Sequence, residues 1–227
     1  MYFEKFLNVF NIYHQRRILK FIKKLDIEYI IDVGAHKGEF LNSVLKLNCK
    51  KIYCFEPQKE IFKTLHKNYK NNKKVELFNL GLSDKNAKLK FYINKLTSTS
   101  TFSKSKKTFF RKFKNLILNS DKNYLKSYYV KTKKLDQFFI SKKKNNIFLK
   151  IDVEGFEFNV LKGAKKLLAN KVKYILVEKH FFKLYQNNST TKVDLFLKKN
   201  NFKLLKKFSF PLLYFQDNLY IKKIKNI

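Results

Sequence analysis

Apolar positions along this chain follow two alternating rhythms. Short β-branched and aromatic runs at Tyr29 to Val33, Lys51 to Phe55, Val75 to Leu80, Ile147 to Ile151 and Tyr174 to Val177 predict buried strands. Between them, segments near Glu39 to Lys46, Gln58 to Lys70, Glu157 to Ala169 and Thr190 to Asn200 space their apolar side chains as helices do. Strand and helix in alternation are the pattern of parallel βαβ units, so these five strands predict a doubly wound α/β sheet. Lys203 to Phe208 and Leu212 to Ile221, separated by Pro211, predict a closing antiparallel hairpin. Ala87 to Ile93 predicts an extra strand, and the basic, aromatic insert Ser103 to Tyr129 a helical excursion of the kind that shapes substrate sites.

Residues 1–28 stand apart as an amphipathic helical extension, with Phe3, Phe6, Leu7, Phe10, Ile18, Leu19, Ile22 and Leu25 at helical spacing among Arg16, Arg17, Lys20, Lys23 and Lys24. The expectation is a helix capping the sheet; a basic membrane-surface helix is the sharper alternative. Residues 29–227 then form one domain, in keeping with a length of 227 and an apolar content of 44% that suffices for a packed core.

The formal net charge of +34 invites a nucleic-acid reading, but all except three of the 51 basic residues are lysine, spread in short runs. Arginine is the residue of bidentate recognition, so this excess reads as solvated faces with weak, salt-sensitive attraction to polyanions. Cys49 and Cys54 flank one strand and cannot meet across it, which points to reduced thiols and a cytoplasmic location. No apolar run approaches the roughly 20 residues of a transmembrane helix. Nothing in the sequence sets the oligomeric state.

Candidate chemistry lies where predicted strands end. Gly34, Gly38, Gly81 and Gly155 follow strands, and Gly163 falls inside a predicted helix. A glycine at a strand-to-helix junction marks a backbone that turns sharply or is closely approached. Asp32, Gly34, Ala35, His36 and Gly38 form a D-x-G-x-x-x-G turn, distinct from the G-x-G-x-x-G that cradles a pyrophosphate. An acidic strand end suits a cationic ligand instead. Glu56, 24 positions after Asp32 and followed by Pro57, stands near the spacing at which a carboxylate receives both hydroxyls of a ribose. Gly81, Leu82, Ser83 and Asp84 fall where an adenine ring would lie. After the fourth strand, Lys150, Asp152 and Glu154 share a face by strand alternation, an unusual concentration of charge unless they meet a ligand or a metal. Glu178 and His180 share a face past the fifth, with His180 placed as a candidate general base.

The segments IIDVGAHKGEF, FEPQ, LGLSD, LKIDVEGFEFNVLKGA, LVEKH and DNLYI together resemble the FkbM family of S-adenosylmethionine-dependent methyltransferases, over roughly Ile30 to Ile221. The resemblance implies a Rossmann-like class I methyltransferase fold: a mostly parallel seven-stranded sheet with a C-terminal antiparallel strand and helices on both faces. It implies S-adenosylmethionine as cofactor and methyl transfer to a hydroxyl of a small molecule or glycan. The cofactor would meet Asp32, Gly34, Ala35, His36, Gly38, Glu56, Pro57, Gly81, Leu82, Ser83 and Asp84. Asp152, Glu154 and His180 would act on the acceptor, or Asp152, Glu154 and Glu178 would hold a divalent metal. His36 departs from the family, which usually has Asn there. No N-P-P-Y-type motif of amino-group methylation follows the fourth strand. Two rivals remain: an RNA 2′-O-methyltransferase, favoured by the charge but lacking a Lys-Asp-Lys-Glu tetrad, and a non-catalytic glycan- or membrane-associated protein with a degenerate cofactor fold.

Overall fold

The computed structural model describes residues 2–94, 97–103, 126–139, 145–180, 190–210 and 215–223. Helix α1 (Tyr2–Ile22) leads into strand β1 (Tyr29–Val33), helix α2 (Glu39–Val44), strand β2 (Lys51–Phe55), helix α3 (Lys59–Tyr69) and strand β3 (Val75–Phe78). A small sheet follows: β4 (Gly81–Leu82), β5 (Ala87–Ile93) and β6 (Lys126–Lys133). Then come α4 (Asp136–Phe139), β7 (Ile147–Ile151), α5 (Glu157–Lys162), α6 (Lys165–Asn170), β8 (Val172–His180), α7 (Thr190–Lys199), β9 (Phe202–Ser209) and β10 (Phe215–Lys222).

The main sheet has seven strands in the order β3-β2-β1-β7-β8-β10-β9. The first five run parallel, and β10 lies antiparallel to both β8 and β9. This is the Rossmann-like methyltransferase arrangement. Successive strand residues supply opposite faces: Ile31, Phe55, Leu149 and Val177 join one core, while Ile30, Cys54, Phe148 and Leu176 join the other. Strands buried on both faces lose the apolar-polar alternation and read as near-continuous apolar runs, here interrupted by Asp32 in β1 and Lys150 in β7. Order reverses at β1, where β2 lies on one side and β7 on the other, and such a switch point opens a crevice at the carboxyl edge.

Helix α1 closes the second face. Ile18 and Ile22 are each 1% exposed within that core, a burial that stabilises by about 1.5–3 kcal/mol per side chain. Among the described residues, no helix is long and apolar enough to cross a membrane. Cys49 and Cys54 are buried and unbridged.

Four expectations need correction. Lys126 to Tyr129, read as part of a helical insert, begin strand β6, which pairs with β5 over Lys126 to Thr132; residues 104–125 lie outside the described residues. Strand β3 stops at Phe78, because Gly81 and Leu82 turn away to pair with β6. Strand β8 continues through Glu178 to His180, so His180 ends the strand instead of following it. The helix predicted over Glu157 to Ala169 is two, broken at Gly163, where a Cβ would lie 2.0 Å from the Ser83 carbonyl oxygen.

Candidate active site

The loop after β1 folds against the end of β2. The N–H groups of Gly34 and Ala35 donate to the Phe55 carbonyl at 3.0 and 3.1 Å. Gly34 sits at φ +83°, and a Cβ on it would lie 1.9 Å from the Asp152 carbonyl oxygen, so the neighbouring strand end requires glycine there, before any ligand does. Gly38, at φ +96°, begins α2. His36 hydrogen-bonds Thr97 Oγ1 at 2.9 Å and Glu39 at 3.0 Å, so its side chain binds the loop to neighbouring chain.

Glu56 is buried inside this loop. Its carboxylate accepts the His36 N–H at 2.9 Å on one oxygen and the Gln58 N–H at 2.7 Å on the other. Burial pushes its carboxyl up to about 7, against the lowering effect of the two bonds. Each oxygen has a second acceptor position, as needed to receive a ribose hydroxyl. Asn79 Nδ2 donates to the Glu56 carbonyl at 2.9 Å and to that of Pro57 at 3.4 Å, fixing the turn.

Gly81, Leu82, Ser83 and Asp84 are brought to helix α5. Leu82 is buried in the core and Ser83 is 1% exposed. Asp84 pairs with Lys162 and accepts from Asn159 and Ser83; despite partial burial, these partners hold its carboxyl down at about 2. Their visible work is to join the small sheet to α5.

A row of buried ionisable groups runs across the sheet. Asp32, wholly buried, meets Lys150 Nζ at 3.3 Å, and Lys150 meets Asp152 at 3.2 Å. Burial alone would pull the Lys150 ammonium down, but Asp152 and Asp32 hold it above the usual lysine range. Burial raises the Asp32 carboxyl, with Lys150 opposing. The second Asp32 oxygen is buried without a hydrogen-bond partner among the described residues, an acceptor left over at the switch point. Asp217 of β10 stands in register opposite Glu178 and bonds His14 at 2.7 Å.

Beyond this row the chain turns sharply. Lys150 and Asp152 share a face as strand alternation predicts, but β7 ends at Ile151 and Glu154 is carried round by a left-handed backbone, φ +52°, followed by Gly155 at +91°. Thr101 Oγ1 donates to the Glu154 carbonyl and Ser103 Oγ to that of Gly155, both at 2.8 Å, holding this strained turn from the small sheet's side. His180 Nε2 then lies 3.1 Å from Glu154 Oε2 and 3.5 Å from Glu178 Oε2. Burial first, then Asp152, Glu154 and Asp217, push the Glu178 carboxyl well above the usual range. Glu157 accepts the Gly155 N–H at 2.8 Å and is raised by burial to about 7.

The structure therefore gathers Asp32, Asp152, Glu154, Glu178 and His180 at one edge, beside the loop of Gly34 to Gly38 and Glu56. Sequence reasoning missed His14, Asp217 and Glu157, and did not give Lys150 its role as the shared cation. The E-G-x-E spacing marks Glu157; His14 and Asp217 become visible only through pairing register.

The profile of the methyltransferase FkbM domain matches residues 32–204. Among solved structures, this chain is similar to the methyltransferase FkbM from Methylobacillus flagellatus KT, with TM-score 0.55 and 15% identity over 86% of this chain. The match spans 43% of that longer protein, so this chain is about half its length. It is also similar to magnesium protoporphyrin IX methyltransferase from Synechocystis PCC 6803, solved with bound S-adenosylmethionine, with TM-score 0.54 and 7% identity over 98% of this chain and 85% of that one. At these identities the structures support the fold alone. No curated protein matches the sequence.

Proposed function

The chain belongs to the FkbM methyltransferase family, and from that premise we propose that it moves the methyl group of S-adenosylmethionine onto a hydroxyl of a small molecule or glycan. The observation that carries this reading is the meeting of Asp152, Glu154, Glu178 and His180 at the carboxyl ends of β7 and β8, next to the cofactor-type loop. The leftover acceptor of Asp32 suits the cofactor's ammonium, and Glu56 its ribose hydroxyls. Gly34, Ala35, His36 and Gly38 form the turn around it, with Pro57 fixing the exit from β2. Gly81 to Asp84 support this edge through α5 and complete the proposed cofactor side.

Transfer is an in-line displacement. The acceptor oxygen attacks the methyl carbon, the carbon–sulfur bond breaks, and sulfur keeps the electron pair. His180 takes the hydroxyl proton as general base, while Asp152 and Glu154 orient the acceptor. Holding the two reactants in line supplies most of the rate, and removal of the proton the rest.

The test is release of S-adenosylhomocysteine in the presence of hydroxyl-bearing sugars, with the product examined by mass spectrometry for a methyl ether. Methylation of nitrogen or carbon would refute hydroxyl transfer. The charge of +34 favours a second reading, methylation of RNA ribose. RNA binding that falls steeply between about 50 and 200 mM salt, without sequence preference, assigns the charge to non-specific attraction; tight binding to one RNA that survives this rise would favour the RNA enzyme.

A further inference from the structure

We propose that Glu154, Glu178 and His180 form a binding site for one divalent transition-metal cation. The site deepens the methyltransferase reading, which gives it a purpose, but its existence can be tested separately. Each of the three side chains offers one ligand atom, and these atoms lie within 4.8 Å of one another. Metal–ligand bonds of about 2.0–2.2 Å place neighbouring ligand atoms roughly 3.0–3.5 Å apart. His180 Nε2 already stands 3.1 Å from Glu154 Oε2 and 3.5 Å from Glu178 Oε2.

The backbone fixes this set. Glu178 and His180 are two residues apart on β8 and so project from the same face. Glu154 reaches them from the left-handed turn that Thr101 holds. The side chains of Glu154, Glu178 and His180 are 10%, 11% and 3% exposed, and Glu178 Oε2 has no hydrogen-bond partner among the described residues. Asp152 and Asp217 add negative charge around Glu178. Carboxylates gathered away from water favour a bound cation. This differs from the set expected from the sequence, in which Asp152 stood in place of His180. Asp152 stands at the rim of the set, 36% exposed, where it pairs with Lys150 and hydrogen-bonds Glu178.

An imidazole among the ligands favours manganese, iron or zinc over magnesium or calcium, which take oxygen almost exclusively. Three protein ligands leave positions for the oxygens of an acceptor. With the cation in place, His180 is a ligand, and Asp152 is the carboxylate left to receive the acceptor's proton.

The test uses the full chain, stripped with chelator and titrated with manganese chloride under electron paramagnetic resonance, with zinc chloride as competitor. One saturable manganese site is expected, displaced by zinc and coupled to an imidazole nitrogen. His180→Gln should abolish the coupling, and Glu178→Gln should weaken binding at least about tenfold. S-adenosylhomocysteine binding is measured on the same samples. Metal uptake with these signatures but without S-adenosylhomocysteine binding supports the site while removing the methyltransferase reading. A protein that binds S-adenosylhomocysteine but takes up neither metal, or keeps the nitrogen coupling in a folded His180→Gln variant, overturns the site.

Discussion

His14 Nε2 lies 2.7 Å from Asp217 Oδ2, fastening helix α1 to strand β10 across 203 positions of chain. Both residues are buried, and Asp217 faces Glu178 on the next strand. Helix α1 is thereby tied to the same row of charges that ends at Glu154 and His180. Replacing His14 by Ala leaves the Asp217 carboxylate buried without this hydrogen bond, and a buried acceptor left unsatisfied costs about 1–3 kcal/mol. Urea unfolding should therefore show His14→Ala less stable by about that amount, with Asp217→Asn recovering part of it in the double variant. A loss under about 0.5 kcal/mol would make the contact incidental.

Glu157 predicts an unusual pH response. Burial raises its carboxyl to about 7 in the folded protein from an ordinary 4.5. The folded state therefore holds the proton longer than the unfolded chain does. Its contribution to stability is fully present below about 4.5 and is lost as pH rises towards 7, at up to about 1.4 kcal/mol per pH unit. Glu56 acts in the same direction. Unfolding free energies at pH 5, 6, 7 and 8 should fall less steeply for Glu157→Gln than for the unaltered protein. Parallel curves would show that Glu157 does not titrate in this window.

The carboxylates proposed to meet the acceptor should separate binding from turnover. Asp152→Asn and Glu154→Gln remove charge while keeping shape, so the fold and most cofactor binding should survive. Turnover should fall by about 100-fold, the scale of impaired positioning and proton transfer. Equal loss of cofactor affinity and turnover would move these residues to the cofactor side.

Much of the sheet was legible because strands buried on both faces, such as Tyr29 to Val33 and Ile147 to Ile151, are apolar runs broken only by Asp32 and Lys150, with Gly34 directly after the first. The end of β8 was not, because Glu178, Lys179 and His180 break the apolar run although β10 pairs with them through Phe215 to Asp217. Strand β6 was missed for a related reason: Lys126 to Lys133 packs in a small sheet with only Val130 and Thr132 buried, so little hydrophobic pattern marks it. The placement of Asp32, Gly34 and Glu56 at strand ends was readable from short-range spacing. The Asp32, Lys150 and Asp152 arrangement, and the His14 to Asp217 pair, depend on which strands are neighbours and in what register. Glu154 reaches His180 only because two consecutive left-handed residues redirect the chain, which alternation along a strand does not foresee.

We propose above all that the loop between β1 and α2, with Glu56, holds S-adenosylmethionine. Calorimetric titration of S-adenosylhomocysteine into the full chain and into Glu56→Ala tests it most directly. One saturable site is expected in the unaltered protein, with at least about tenfold weaker binding in a Glu56→Ala protein whose circular dichroism shows it folded. Undiminished binding by that folded variant would remove the ribose assignment, and no saturable binding by the unaltered protein would contradict the cofactor reading itself.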